Sequence, residues 1–94
     1  MFTWLNKQGV QSDKGYIVQR VARFEVEYRE SKKKISIYVE PGYSAGKNCL
    51  IIRSDAFYKW DDGTSISEVK QKETLQNFKD ANKFKGIDIE VWSP

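Results

Sequence analysis

Residues 65–92 read SISEVKQKETLQNFKDANKFKGIDIEVW, and two periodicities meet within them. Ser65 and Glu68 have the spacing of a capping box, in which the serine accepts from the amide three residues on and the glutamate reaches back to the cap amide. A helix is expected from there. Gln71, Thr74, Leu75, Phe78, Ala81 and Asn82 recur at three- and four-residue steps and mark its buried face. Val69 lies off that stripe, and Glu68 and Lys72 form a favourable i, i+4 pair. Gly86 suits the position after the last helical turn, with Lys83 and Lys85 complementing the negative end of the dipole. Beyond it Ile87, Ile89 and Val91 alternate with Asp88, Glu90 and Trp92, the period of a strand. The helix therefore returns the chain to a sheet.

Further toward the N-terminus the pattern is β throughout. Over residues 15–28, Tyr16, Val18, Phe24, Val26 and Tyr28 alternate with polar neighbours such as Glu25 and Glu27, which predicts two antiparallel strands joined or bulged at 20–23. Residues 29–34 are polar and suit a hairpin connection. Ile35, Ile37 and Val39 then alternate with Ser36, Tyr38 and Glu40, and Pro41-Gly42 is expected to end that strand because proline donates nothing to a ladder. A loop over 42–46 leads to Cys49-Leu50-Ile51-Ile52, an apolar run expected as a central strand covered on both faces. Asp61-Asp62-Gly63 is a turn signal. The expected order is β-β-β-β-α-β: an α+β fold with a mostly antiparallel sheet of about five strands and one helix on its face.

The chain has 94 residues, with no internal repeat or linker, so one domain over 1–94 is expected. Hydrophobic residues are 39% and charged residues 31%, too apolar for a disordered tail. The single cysteine, Cys49, permits no internal disulfide. A secreted domain this small usually carries several, so a cytoplasmic location is expected. The first residues lack the basic start and apolar run of a signal peptide, and no stretch is long enough to span a membrane.

The chain contains no histidine. That removes the commonest general base and the commonest metal ligand. Cys49 has no second thiol to pair with and sits in an apolar run, where packing is the better reading. No nucleotide-binding glycine motif or nucleophile elbow occurs. Asp55, Asp61 and Asp62 cluster near Trp60, yet nothing adjacent would raise one carboxyl above the others. The expectation is a protein that is not an enzyme and uses neither cofactor nor metal.

Binding is left. The net charge of +3 permits an acidic partner but is modest for a dedicated nucleic-acid protein. Lys32, Lys33 and Lys34, with Tyr38 in phase with Ser36 and Glu40, form the nucleic-acid candidate. Tyr28 and Phe24 share the phase of Val26 and are assigned to the core, while Glu25, Glu27, Glu30 and Glu40 would interrupt a phosphate track. For protein binding, Trp60 stands beside Tyr58 and ahead of a polar turn, a large anchor with a polar rim. The competing reading is that Trp60 plugs the junction of sheet and helix. Trp4 and Trp92 are placed at the edges of the core.

The strand at 35–40, the strand Leu50-Ile51-Ile52, the aromatic run Phe57-Tyr58-Lys59-Trp60, the turn through Gly63, the capped helix and the final strand at 86–90 together resemble small immunity proteins of bacterial polymorphic toxin systems, including contact-dependent growth inhibition. The resemblance spans roughly residues 15–92. Relatives commonly carry a proline a few positions after the tryptophan, where this chain has Asp61-Asp62-Gly63. The resemblance implies a cytoplasmic antidote whose partner is a cognate toxin domain, frequently a nuclease. The expected contact surface is Tyr58, Trp60, Asp61 and Asp62 with Glu40 and Tyr43, and a Trp60→Ala or an Asp61→Ala variant is expected to lose binding but keep its fold. Glu40, Asp55, Asp61 and Asp62 could stand in for phosphates before a basic cleft, although an acidic toxin face matches the net charge better. The alternative is a nucleic-acid-binding accessory protein of phage or plasmid origin, using Lys32 to Lys34 and Tyr38.

Overall fold

A computed structural model describes residues 1–44 and 46–93. The helix, α1 (Glu68–Phe84), starts three residues after Ser65. Ser65 is bridged to Lys59 instead, and the neighbouring Ile66 amide donates to the Tyr58 carbonyl at 3.0 Å. Those pairings hold 65–66 extended, so the cap passes to Ser67, whose hydroxyl accepts from the Lys70 amide at 3.3 Å. At the other end Gly86 takes φ 83°. Its amide donates to Lys83 at 2.9 Å while that of Ile87 donates to Asn82 at 2.8 Å, a Schellman termination as the sequence predicted.

The class is α+β, but the strands form two sheets. The first is antiparallel with its strands in chain order: β1 (Phe2–Asn6), β2 (Gly9–Ser12), β3 (Tyr16–Ala22), β4 (Glu25–Glu30) and β5 (Lys33–Tyr38). The second places β7 (Lys47–Arg53) between β6 (Glu40–Ser44) and β8 (Asp88–Trp92), with β8 parallel to β7 across the helical crossover. The expected central strand at 49–52 is thus central, in the smaller sheet. Val39 alone separates β5 from β6, and its amide donates to Phe24 at 2.9 Å.

Several expectations change. Pro41 does not end a strand; it lies within β6, paired with Leu50. β6 is an outer strand, the place in a sheet where proline is tolerated. The β1 and β2 hairpin, absent from the sequence reading, extends the first sheet. Phe24 sits in the turn between β3 and β4, 43% exposed, stacked on Tyr38 rather than in the core. Glu27 is buried despite facing away from the helix, between the charges of Arg29 and Lys34. Trp4 and Trp92 are half-exposed and do not close the core.

One face of the larger sheet, α1 and the smaller sheet enclose the core. Val10, Val18, Tyr28 and Ile35 lie opposite one another across four strands. Leu50 and Ile52 join from β7, Phe78 and Ala81 from α1, and Phe57, Trp60 and Ile66 from the connection between them. Asn77, missed by the apolar pattern, is buried with Thr74 and Asn82 on the same helical face. Tyr28 is central: its ring stacks on Tyr16 at 5.5 Å and Trp60 at 6.3 Å and meets Phe57 edge-on. Its hydroxyl donates to Glu30 at 3.0 Å and accepts from Asn77 at 3.1 Å. Glu30 in turn meets Lys70 at 2.5 Å, so a polar chain ties the sheet to the helix through the core's edge. Among the described residues no helix is long and apolar enough to cross a membrane.

Candidate functional site

β5 forms one margin of the larger sheet, and the connection after β7 folds along it. The Asp61 amide donates to the Lys34 carbonyl at 2.9 Å, and the Asp61 carboxylate accepts from the Ser36 amide and hydroxyl at 3.1 Å each. Asp62 accepts from the Lys33 ammonium at 2.6 Å and from the Thr64 amide at 2.9 Å. The Lys33 and Thr64 contacts hold the Asp62 carboxyl well below the usual aspartate range. Gly63 closes the turn at φ 93°, donating to the Trp60 carbonyl. Both aspartates therefore act first as fasteners of this turn against β5.

Trp60 is 8% exposed and belongs to the core. Its sequence neighbours alternate outward while its own ring stacks on Tyr28, which makes it the plug and not a surface anchor. The expectation that Trp60→Ala would spare the fold is corrected accordingly, since truncating a buried ring leaves a cavity. Tyr58, by contrast, is 60% exposed, and Tyr38 is 64% exposed.

Tyr38 and Tyr58 line the same cleft of about 560 Å³, together with Ser36, Arg53, Asp55 and Ala56. Its lining is mainly apolar. Arg53 donates from Nε and Nη2 to the two carboxylate oxygens of Asp55 at 2.9 and 3.0 Å, and Asp55 is held below its ordinary titration range by that guanidinium. A cleft of about 410 Å³ between α1 and the smaller sheet is lined instead by charges of both signs, among them Lys79, Lys83, Asp88 and Glu90. The first cleft combines aromatic walls with a sheet margin, the features of a recognition surface.

Of the six residues named from sequence, the structure gathers Tyr58, Asp61 and Asp62 along β5. Glu40 begins β6, two residues beyond Tyr38, and is exposed. Tyr43 is 74% exposed near the far end of β6, opposite Asn48. Trp60 lies beneath the surface. Ser36 and Arg53 had no signal in the sequence, because their roles depend on the fold bringing 36–38 beside 53–58. Tyr38 was singled out from its phase, though for a different ligand.

Of the lysines proposed for nucleic acid, Lys33 and Lys34 are engaged. Lys33 is bound to Asp62 and Thr64, and Lys34 lies 4.0 Å from Glu27. Cys49 is buried, and its thiol is pushed upward by burial and by Glu90 and Asp88, away from the thiolate form. No group of three metal-ligating side chains occurs among the described residues. Comparison with known protein families, curated proteins and solved structures finds no match.

Proposed function

We propose that this protein works by binding another protein at the cleft between Tyr38 and Tyr58, and that its partner is a toxin domain, often a nuclease, which it neutralises in the cytoplasm without catalysis of its own. The observation that carries the binding reading is the pair of exposed tyrosines on an apolar cleft whose floor and walls are pinned by Asp61 and the Arg53–Asp55 pair. Exposed aromatics held on a fixed frame bind with little loss of conformational entropy, which suits tight association by a small surface. The toxin partner is supported by the resemblance to immunity proteins carried by the strands, aromatic run and helix quoted above. Absence of histidine and the upward push on the Cys49 thiol favour inhibition by contact over chemistry.

The test is to co-express the protein with the C-terminal domain of an exported protein encoded in the adjacent reading frame. Restored growth and a calorimetric dissociation constant of about 10 nM or tighter are expected. Association with single- or double-stranded nucleic acid that weakens steeply with salt, without rescue of growth, would favour the accessory-protein reading instead.

A further inference from the structure

The hydrogen-bonding phase of β5 decides which of its backbone groups are free. The Val39 amide donates to Phe24 on the β4 side, and Ile37 and Ile35 follow at two-residue steps opposite Val26 and Tyr28. Lys34, Ser36 and Tyr38 therefore turn their amides and carbonyls to the outer margin. The Lys34 carbonyl and Ser36 amide go to Asp61. The Ser36 carbonyl and both backbone groups of Tyr38 are left at the cleft, with no partner among the described residues.

Charge along the same margin is uneven. Arg53 is bound by Asp55, Lys33 by Asp62 and Lys34 lies against Glu27. Glu25, the register partner of Tyr38, is exposed and carries no ion pair among the described residues, and the same holds for Glu40. Among the described residues the Asp61 carboxylate accepts from Ser36 alone, a neutral residue. On the face that Tyr38 shares, the open half of β5 carries the carboxylates of Glu25 and Glu40, with Arg23 beside them over the Phe24 ring at 5.3 Å.

We infer that the partner is held through an extended segment of its own chain, with an apolar residue and a lysine or arginine two positions to either side of it on one face, that adds as a further strand to β5 at Ser36 and Tyr38. This rests on the cleft being the binding surface, as proposed above. An extended backbone supplies the missing donors and acceptor, an apolar side chain fits between the two tyrosines, and the cations two positions away on the same face meet Glu25 and Glu40. Pairing of this kind draws affinity from the main chain and specificity from alternate side chains.

The probe is an acetylated and amidated pentapeptide, lysine-threonine-valine-threonine-arginine, titrated into the labelled protein while amide resonances are followed. A twin methylated at the valine nitrogen and a twin with glutamate at the charged positions are run beside it. Movement of the amides at 36–38 and 53–58 is expected, with each twin binding at least about tenfold more weakly. Tyr38→Pro removes the outward amide together with the ring and should lose at least the same factor, whereas Tyr38→Phe should bind as the parent does. Circular dichroism checks that both variants fold. Equal binding of the methylated twin, or no movement at 36–38 with the plain peptide at millimolar concentration, overturns the inference. If the toxin domain binds without slowing amide exchange at Tyr38, strand addition fails and the choice of partner stands. Peptide binding without capture of any toxin domain gives the reverse.

Discussion

Asp61 closes half the margin of β5 by binding Ser36, a residue 25 positions earlier, through both the amide and the hydroxyl at 3.1 Å. Exposed sheet margins invite pairing with other chains, and proteins commonly cover them with a loop or a charge. Here the loop stops short. The uncovered remainder coincides with the two exposed tyrosines, so the same turn that protects the sheet also defines the end of the cleft.

Replacing Asp61 with alanine should cost about 1 kcal/mol in urea denaturation, because the Ser36 amide loses its acceptor at a partly exposed site. Asp61→Asn, which retains a carbonyl acceptor, should recover most of that loss.

Trp60 and Tyr58 are two residues apart and should respond oppositely. Trp60→Ala is expected to destabilise by about 3 kcal/mol or more, the range for emptying an aromatic site in a core. Tyr58→Ala should change stability by no more than about 0.5 kcal/mol, yet weaken capture of the partner by about tenfold or more. Paired denaturation and calorimetry on the two variants check this.

Acid should loosen the turn. Lys33 and Thr64 depress the Asp62 carboxyl from its ordinary value of 3.8, so its contribution is complete above that pH and is lost as pH falls through the lower folded value. The melting temperature of Asp62→Asn, followed from about pH 6 to about pH 2, should fall less steeply below 3.8 than that of the parent. Parallel curves would remove the Lys33 contact as a source of acid sensitivity.

Tyr28 is kept protonated by burial, so its hydroxyl remains both donor to Glu30 and acceptor from Asn77. Tyr28→Phe keeps the stacked ring but strands the buried Asn77 amide, and should cost about 1 to 3 kcal/mol. Faster amide exchange along 68–84 would accompany it, since this chain of contacts joins helix to sheet.

Much of the fold is local and was legible. The three- and four-residue steps from Gln71 to Asn82, the φ-permissive Gly86, and the alternations of 15–28, 35–39 and 87–91 each report a period that neighbouring residues enforce by themselves. The first hairpin was not, because Phe2-Thr3-Trp4-Leu5-Asn6 lacks a clean alternation, and β1 bulges between Trp4 and Asn6. Pro41 misled for a related reason: it stops an inner strand but is tolerated in an outer one, and nothing local says which strand will be outer.

The sequence by itself determined the class, the helix and its termination, the β3–β4 and β4–β5 hairpins, and a surface without histidine. Tertiary structure alone decided that the strands divide into two sheets, that Trp60 turns inward while Tyr58 turns out, and that Asp61 and Asp62 spend their hydrogen bonds on Ser36 and Lys33. These are contacts across more than twenty residues, whose partners are chosen by packing around Tyr28, and no short-range period in the chain can encode them.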